Sequence, residues 1–231
     1  PAAVRQAEAS GNLLDGLRRK REMLRSMTPE QAMSVIEFHR NLTVFQALAL
    51  AKNEGKLIVP NSGQDRILTE TDFSPKYRWT GTMVVYTSPG KPFGEKIVYG
   101  WEDNGMPFSF SFDVPARFRN VKDFFLVIEH PDFDLIPLGK NAYELIADEN
   151  IFHLHERFPA KTSEHYRYDE QYRLPMGSRI ENNRDTSRQL WRTDHFIGLV
   201  ARGYDSGWDG NNRRGVSLSD RLSGALGVAL F

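Results

Sequence analysis

The hydrophobic period changes once along this chain, and that change limits it to a few folds. Up to about Gly55 apolar residues recur at helical spacing; from about Tyr77 they recur at every second position. Helices followed by a run of strands predict an α+β protein: an N-terminal helical region over 1–55, then a β-rich body over 56–231. Residues 1–27 read as helix, with Leu13, Leu14, Leu17, Met23, Leu24 and Met27 as its apolar set. Its basic run Arg18-Arg19-Lys20-Arg21 reads as a solvated helical face. A nucleic-acid patch is the alternative, and the whole segment also fits an oligomerisation arm. Thr28-Pro29-Glu30-Gln31 carries a helix start, with Thr at the cap, Pro at the first position and Gln three residues on. Met33, Ile36 and Arg40 continue the helical period. Thr43 caps a second helix with Val44, Leu48 and Ala51 on one face, and Gly55 ends it. Lys56–Pro60 reads as a short strand.

In the body, Thr82–Tyr86 is a strand closed by Ser88-Pro89-Gly90. Lys96–Trp101 and Pro107–Val114 flank Asp103-Asn104-Gly105, a tight-hairpin sequence. Phe108, Phe110, Phe112 and Val114 share one face of the second arm, and Ser109, Ser111 and Asp113 the other. Phe124–Glu129, Tyr143–Ile146, Phe152–Leu154 and His195–Val200 are further strands. Thr186–Trp191 fits a helical turn or the entrance to a strand. Lys161–Asn183, polar and dense in Tyr, Arg and Glu, reads as a long surface connection.

The last stretch says most about function. Arg202-Gly203 leads into Tyr204, Asp205, Ser206, Gly207, Trp208, Asp209, Gly210, Asn211 and Asn212, nearly all loop formers or good surface contacts. The chain then closes on the apolar Gly227-Val228-Ala229-Leu230-Phe231, of buried-strand length. The same residues also suit an ordinary polar loop before a C-terminal strand. Arg202-Gly203, Gly207-Trp208 with Asn211-Asn212-Arg213-Arg214, and the closing Gly227-Val228-Ala229 resemble the variable region of diversity-generating-retroelement variable proteins. Those proteins have a C-type-lectin fold related to the formylglycine-generating enzymes. The resemblance is confined to the C-terminal region, so the start of a C-type-lectin-like module would lie upstream of the variable-type region at about 202–231. It implies a non-enzymatic ligand-binding protein whose hypervariable positions are set by replacement of template adenines. The implied contacts are Tyr204, Asp205, Ser206, Trp208, Asp209, Asn211 and Asn212, with Ser217, Ser219, Asp220 and Ser223 as outer members. Arg213 and Arg214 would anchor the loop, and the partner would be a protein or glycan. The enzymes of that fold work through cysteines; this chain has none, so the resemblance carries no catalysis.

Thirty basic and thirty acidic residues cancel, leaving no global charge to drive the chain onto nucleic acid or an anionic membrane. Cysteine's absence excludes disulfides, thiol nucleophiles and cysteine-ligated metals, and favours a reducing compartment such as the cytoplasm. No membrane span and no signal-peptide core is visible in the sequence. No P-loop, G-x-G-x-x-G, H-E-x-x-H or G-x-S-x-G occurs, so no cofactor and no metal is expected. Two constellations stand as rivals. His153-Leu154-His155-Glu156 places two imidazoles on one strand face, so with His165 or Glu164 it fits a metal-assisted hydrolase. A lone H-x-H is a weak signal, and surface or loop histidines are its ordinary explanation. Glu129-His130-Pro131-Asp132-Phe133-Asp134 gathers carboxylates around a histidine, but a strand followed by a proline turn explains those residues. A third reading is a structural or assembly protein using the helical N-terminus.

Overall fold

In the computed structural model, the described residues are 2–68, 77–103, 106–159, 161–162, 166–176, 188–191, 197–204 and 226–231. The chain opens with α1 (Ala2–Ser26) and α2 (Pro29–Val35), then β1 (Glu37–Arg40), α3 (Val44–Glu54) and α4 (Asn61–Leu68). The strands β2 (Tyr77–Val85), β3 (Lys96–Asp103), β4 (Met106–Asp113), β5 (Phe124–Glu129), β6 (Phe133–Gly139) and β7 (Ala142–Ala147) follow. After them come β8 (His153–Glu156), β9 (Lys161–Thr162), β10 (Arg167–Tyr168), β11 (Pro175–Met176), β12 (Arg188–Trp191), β13 (Ile197–Tyr204) and β14 (Leu226–Leu230). The α+β class is as expected: helices first, then a β-rich body. No helix among the described residues is long and apolar enough to cross a membrane.

Local chemistry places the early helices where the sequence predicts them. Thr28 and Gln31 form a reciprocal capping box on α2, and Thr43 and Gln46 form another on α3. Gly55 ends α3 at φ 60°, left-handed backbone that glycine adopts without strain. The helical period through Met33, Ile36 and Arg40 is broken, however. Glu37–Arg40 is a strand, paired antiparallel with β14 from Glu37↔Leu230 to Arg40↔Gly227. Tertiary pairing overrides the local pattern there, and the first 55 residues are thereby stitched into the same sheet as the chain's last strand.

The larger sheet runs β1-β14-β2-β13-β12-β9, with β5 also on β2 and β8 on β5. One edge of β2 serves two partners: β14 runs parallel to Tyr77–Trp79, and β5 antiparallel to Thr82–Val85. Leu57-Ile58-Val59 fills the gap between them. Leu57 and Phe231 exchange backbone hydrogen bonds, Val59 N–H donates to Ala229, and Gly81 N–H donates to the Val59 carbonyl. A Cβ on Gly81 would overlap the Ile58 carbonyl oxygen, so this crossing requires glycine. The segment expected as a strand over Lys56–Pro60 is thus a short bonded crossing, and α4 follows it directly.

The smaller sheet is β3-β4-β7-β6. Its β3–β4 hairpin pairs Asp103 with Met106, so Asn104-Gly105 is the connection, as the sequence predicts. Its inner residues Ile97, Phe110, Phe112 and Leu145 meet Trp79, Met83, Val228 and Leu230 of the larger sheet, together with Val44, Leu48 and Ala51 of α3, in the main core. The larger sheet is buried on its other face too. Val84, Phe125, Val127 and Val200 pack there against Phe158, Tyr172 and Leu174. The part of the expected surface connection at 166–176 is therefore partly core: Tyr172 and Leu174 are buried. Of Thr186–Trp191, the described residues Arg188–Trp191 form a strand, β12, and 186–187 lie outside the described residues.

Candidate functional site

The sequence-predicted contact set divides at Tyr204. Tyr204 ends β13, opposite Arg188 of β12. Asp205, Ser206, Trp208, Asp209, Asn211, Asn212, Ser217, Ser219, Asp220 and Ser223, and the anchors Arg213 and Arg214, lie outside the described residues. The structure does fix the two strands that hold them. Gly203 of β13 and Leu226 of β14 both pair with Tyr77 of β2, one on each side. Residues 205–225 therefore leave and return at one end of the sheet, two strand spacings apart, roughly 10 Å. The chain reaches Tyr77 and Arg188 at that same end, so 69–76 and 177–187 attach there as well. The expected closing strand is present, with Val228, Ala229 and Leu230 buried.

The histidine pair on β8 is not assembled as a chelate. His155 is buried, with Nδ1 2.8 Å from the Glu156 carbonyl and Nε2 3.2 Å from Asp169 Oδ2. Both ring nitrogens are engaged, which leaves none for a metal. His153 is exposed and packs against the Tyr172 ring at 5.5 Å. His165 and Glu164 lie outside the described residues. Among the described residues, the metal-capable grouping is instead Glu37, His39 and Glu54, with the Lys56 ammonium bonded to both carboxylates.

The Glu129–Asp134 stretch is a strand end followed by a cis-proline turn, and it has partners that the sequence did not reveal. Asp132, with a fully buried side chain, accepts from Arg18 Nε at 2.7 Å and Arg21 Nη1 at 2.5 Å. Arg18 also reaches Asp148 at 3.3 Å, and Arg25 Nη2 bonds Glu129 Oε2 at 3.1 Å. The basic run of α1 is thus only in part a solvated face: Arg18 and Arg21 are paired and Lys20 donates to the Gly55 carbonyl, while Arg19 is exposed. Arg18, Arg21 and Arg25 recur every third or fourth residue, and that spacing, matched to the acids at 129–134, was the available signal.

No known protein family, characterised protein or solved structure matches this chain.

Two buried groups under α1 titrate in opposite directions. Burial pushes the Glu129 carboxyl up to about 7, against the pull of Arg25 and Arg21. Burial pushes His130 down to about 4, and its Nδ1 accepts the Ile58 N–H at 3.2 Å, which also requires the neutral ring. Glu129's raised value contributes stability that is full below pH 4.5 and lost as pH rises through about 7. His130's depressed value contributes stability that is full above pH 6.5 and lost as pH falls through about 4. The two slopes oppose each other between pH 4.5 and 6.5. Glu129→Gln should remove the first, so the variant gains on the parent protein by about 1 kcal/mol per pH unit between pH 4.5 and 7. Urea unfolding of both proteins across that range checks this, and parallel profiles would refute it.

Proposed function

We propose that this protein is a non-enzymatic ligand-binding protein that displays residues 204–223 as a hypervariable-type surface on a C-type-lectin-like scaffold. The observation that carries the reading is the pairing of Gly203 and Leu226 with the same residue, Tyr77. Two core strands hold the ends of a long polar, aromatic-dotted segment close together, and a rigid scaffold tethering variable sequence is how loop-based recognition is built. The composition of 204–212 supports it, because Tyr and Trp give large contact area at low entropic cost while Asp, Asn, Ser and Gly give adaptable hydrogen bonding. The partner is a folded protein or a glycan, and Tyr204 and Trp208 are the expected hot spots.

The test is a combinatorial library over Asp205, Ser206, Asp209, Asn211 and Asn212, with Tyr204 left in place because it ends β13. Exposed loop substitutions change stability by about 0.5 kcal/mol or less. Most members should therefore be soluble and melt as the parent does, and panning against an arbitrary folded protein should return binders. If most members unfold, the stretch is architecture. A reverse transcriptase gene beside this one, with a near-copy of the 3′ coding end differing mainly at adenines, would support the retroelement part of the proposal.

A further inference from the structure

Away from the strand ends, four arginines from three separate stretches line one cleft of about 550 Å³. Arg21 and Arg25 come from one face of α1, Arg66 from α4, and Arg173 from the segment before β11. A cavity of that size accommodates a nucleotide-sized ligand. Like charges gathered this closely need counter-charge, and the placement of that counter-charge is informative. Asp132 and Glu129, which neutralise Arg21 and Arg25, have side chains 0% and 3% exposed and do not line the cleft. The acidic lining residues are Asp65, bonded to Arg173 Nε at 2.8 Å, and Glu170.

The donors are fixed rather than loose. Arg66 is held by the Leu24 and Arg25 carbonyls at the end of α1, and Arg173 by Asp65. Each guanidinium is a rigid planar fork of N–H groups, the shape that recognises phosphate oxygens. Nε of Arg21 is buried with no hydrogen-bond partner. Ser62 and Gly63, in the first turn of α4, also line the cleft. The first bond closing that helix is Gln64 N–H to Pro60 O, so the Ser62 and Gly63 N–H groups are among those the ladder leaves over. Leu24 and Pro60 supply an apolar patch beside them.

We propose that this cleft between α1, α4 and residues 170–173 is a binding site for a small phosphorylated molecule. Donors drawn from three separate stretches suit a tetrahedral anion, whereas a planar carboxylate is satisfied by one fork. Partial protonation of the buried Glu129 near neutral pH reduces the negative charge behind Arg25, which favours the same ligand.

Isothermal titration of the full chain with inorganic pyrophosphate, at ionic strength held constant with chloride, tests this. Saturable binding is expected, and it should weaken when the titration is repeated at a higher fixed chloride concentration. Arg173→Gln should weaken it about tenfold or more, the usual consequence of losing a charged hydrogen bond. Ser62→Asp separates binding from folding. A carboxylate in the first turn of α4 favours the helix, so the urea midpoint should hold or rise while pyrophosphate binding drops by at least the same factor. No saturable heat, unchanged affinity in both variants, or tighter binding of citrate than of pyrophosphate would each overturn the proposal.

Discussion

Asp132→Ala should cost about 3–5 kcal/mol, the range for removing one partner of a buried ion pair. Its carboxylate is the common acceptor for Arg18 and Arg21, and its side chain has no exposure to water. Deleting it leaves the nearly buried Arg21 without its acid, while Arg18 keeps Asp148 and Asp15. The other ties on this part of α1 are Lys20 to the Gly55 carbonyl, Arg66 to the Leu24 and Arg25 carbonyls, and Arg25 to Glu129. Leu17 and Leu24 are buried, but Leu13, Leu14 and Met23 are exposed. The loss should therefore appear first as release of α1: amide exchange over residues 17–26 accelerates about a hundredfold or more, ahead of the body strands. Replacing Arg18 and Arg21 with Met in the same background should recover much of the stability, because the damage comes from unpaired buried charge. A variant with the parent's urea midpoint and the parent's exchange in α1 would show that these pairs are ornamental.

The same cluster shows where the sequence is legible and where it is not. Thr28 with Gln31, Thr43 with Gln46, and Gly55 were readable because capping works over three or four residues. The β3–β4 hairpin was readable because its register is set by a two-residue connection. The acids at 129–134 and the arginines of α1 were each visible, but their pairing spans over a hundred residues and no local pattern encodes it. α4 went unread for the same reason. Asn61-Ser62-Gly63 looks like a turn, yet Asn61 Nδ2 donates to the Tyr172 and Arg173 carbonyls and Gln64 Nε2 to those of Val59 and Trp79. Those long-range bonds make a polar sequence a buried helix. For the proposed binding surface the sequence supplied the composition of 204–223, and the strand register supplied its two tethers.

Val228→Asp should abolish folding. Val228 is fully buried in β14, opposite His39 of β1 on one side and Trp79 of β2 on the other. Its side chain lies in the main core with Trp79 and Leu230. A carboxylate there loses the apolar contacts and gains no partner, so it either stays charged at a cost of many kcal/mol or binds a proton and remains an unsatisfied polar group. A domain of this kind is stable by only about 5–15 kcal/mol, and this one substitution consumes much of that. The strand also matters beyond its own contacts. β14 holds β1 against β2, and its neighbour Phe231 exchanges hydrogen bonds with Leu57, so losing it frees the crossing at Gly81 as well. Val98→Asp is the matched control, since Val98 is 61% exposed on β3 and the change should cost about 1 kcal/mol or less. Soluble yield and a cooperative thermal melt read out both variants. A Val228→Asp protein that melts cooperatively near the parent's temperature would mean that the last strand is not part of the core, and the tether proposed for residues 205–225 would fall with it.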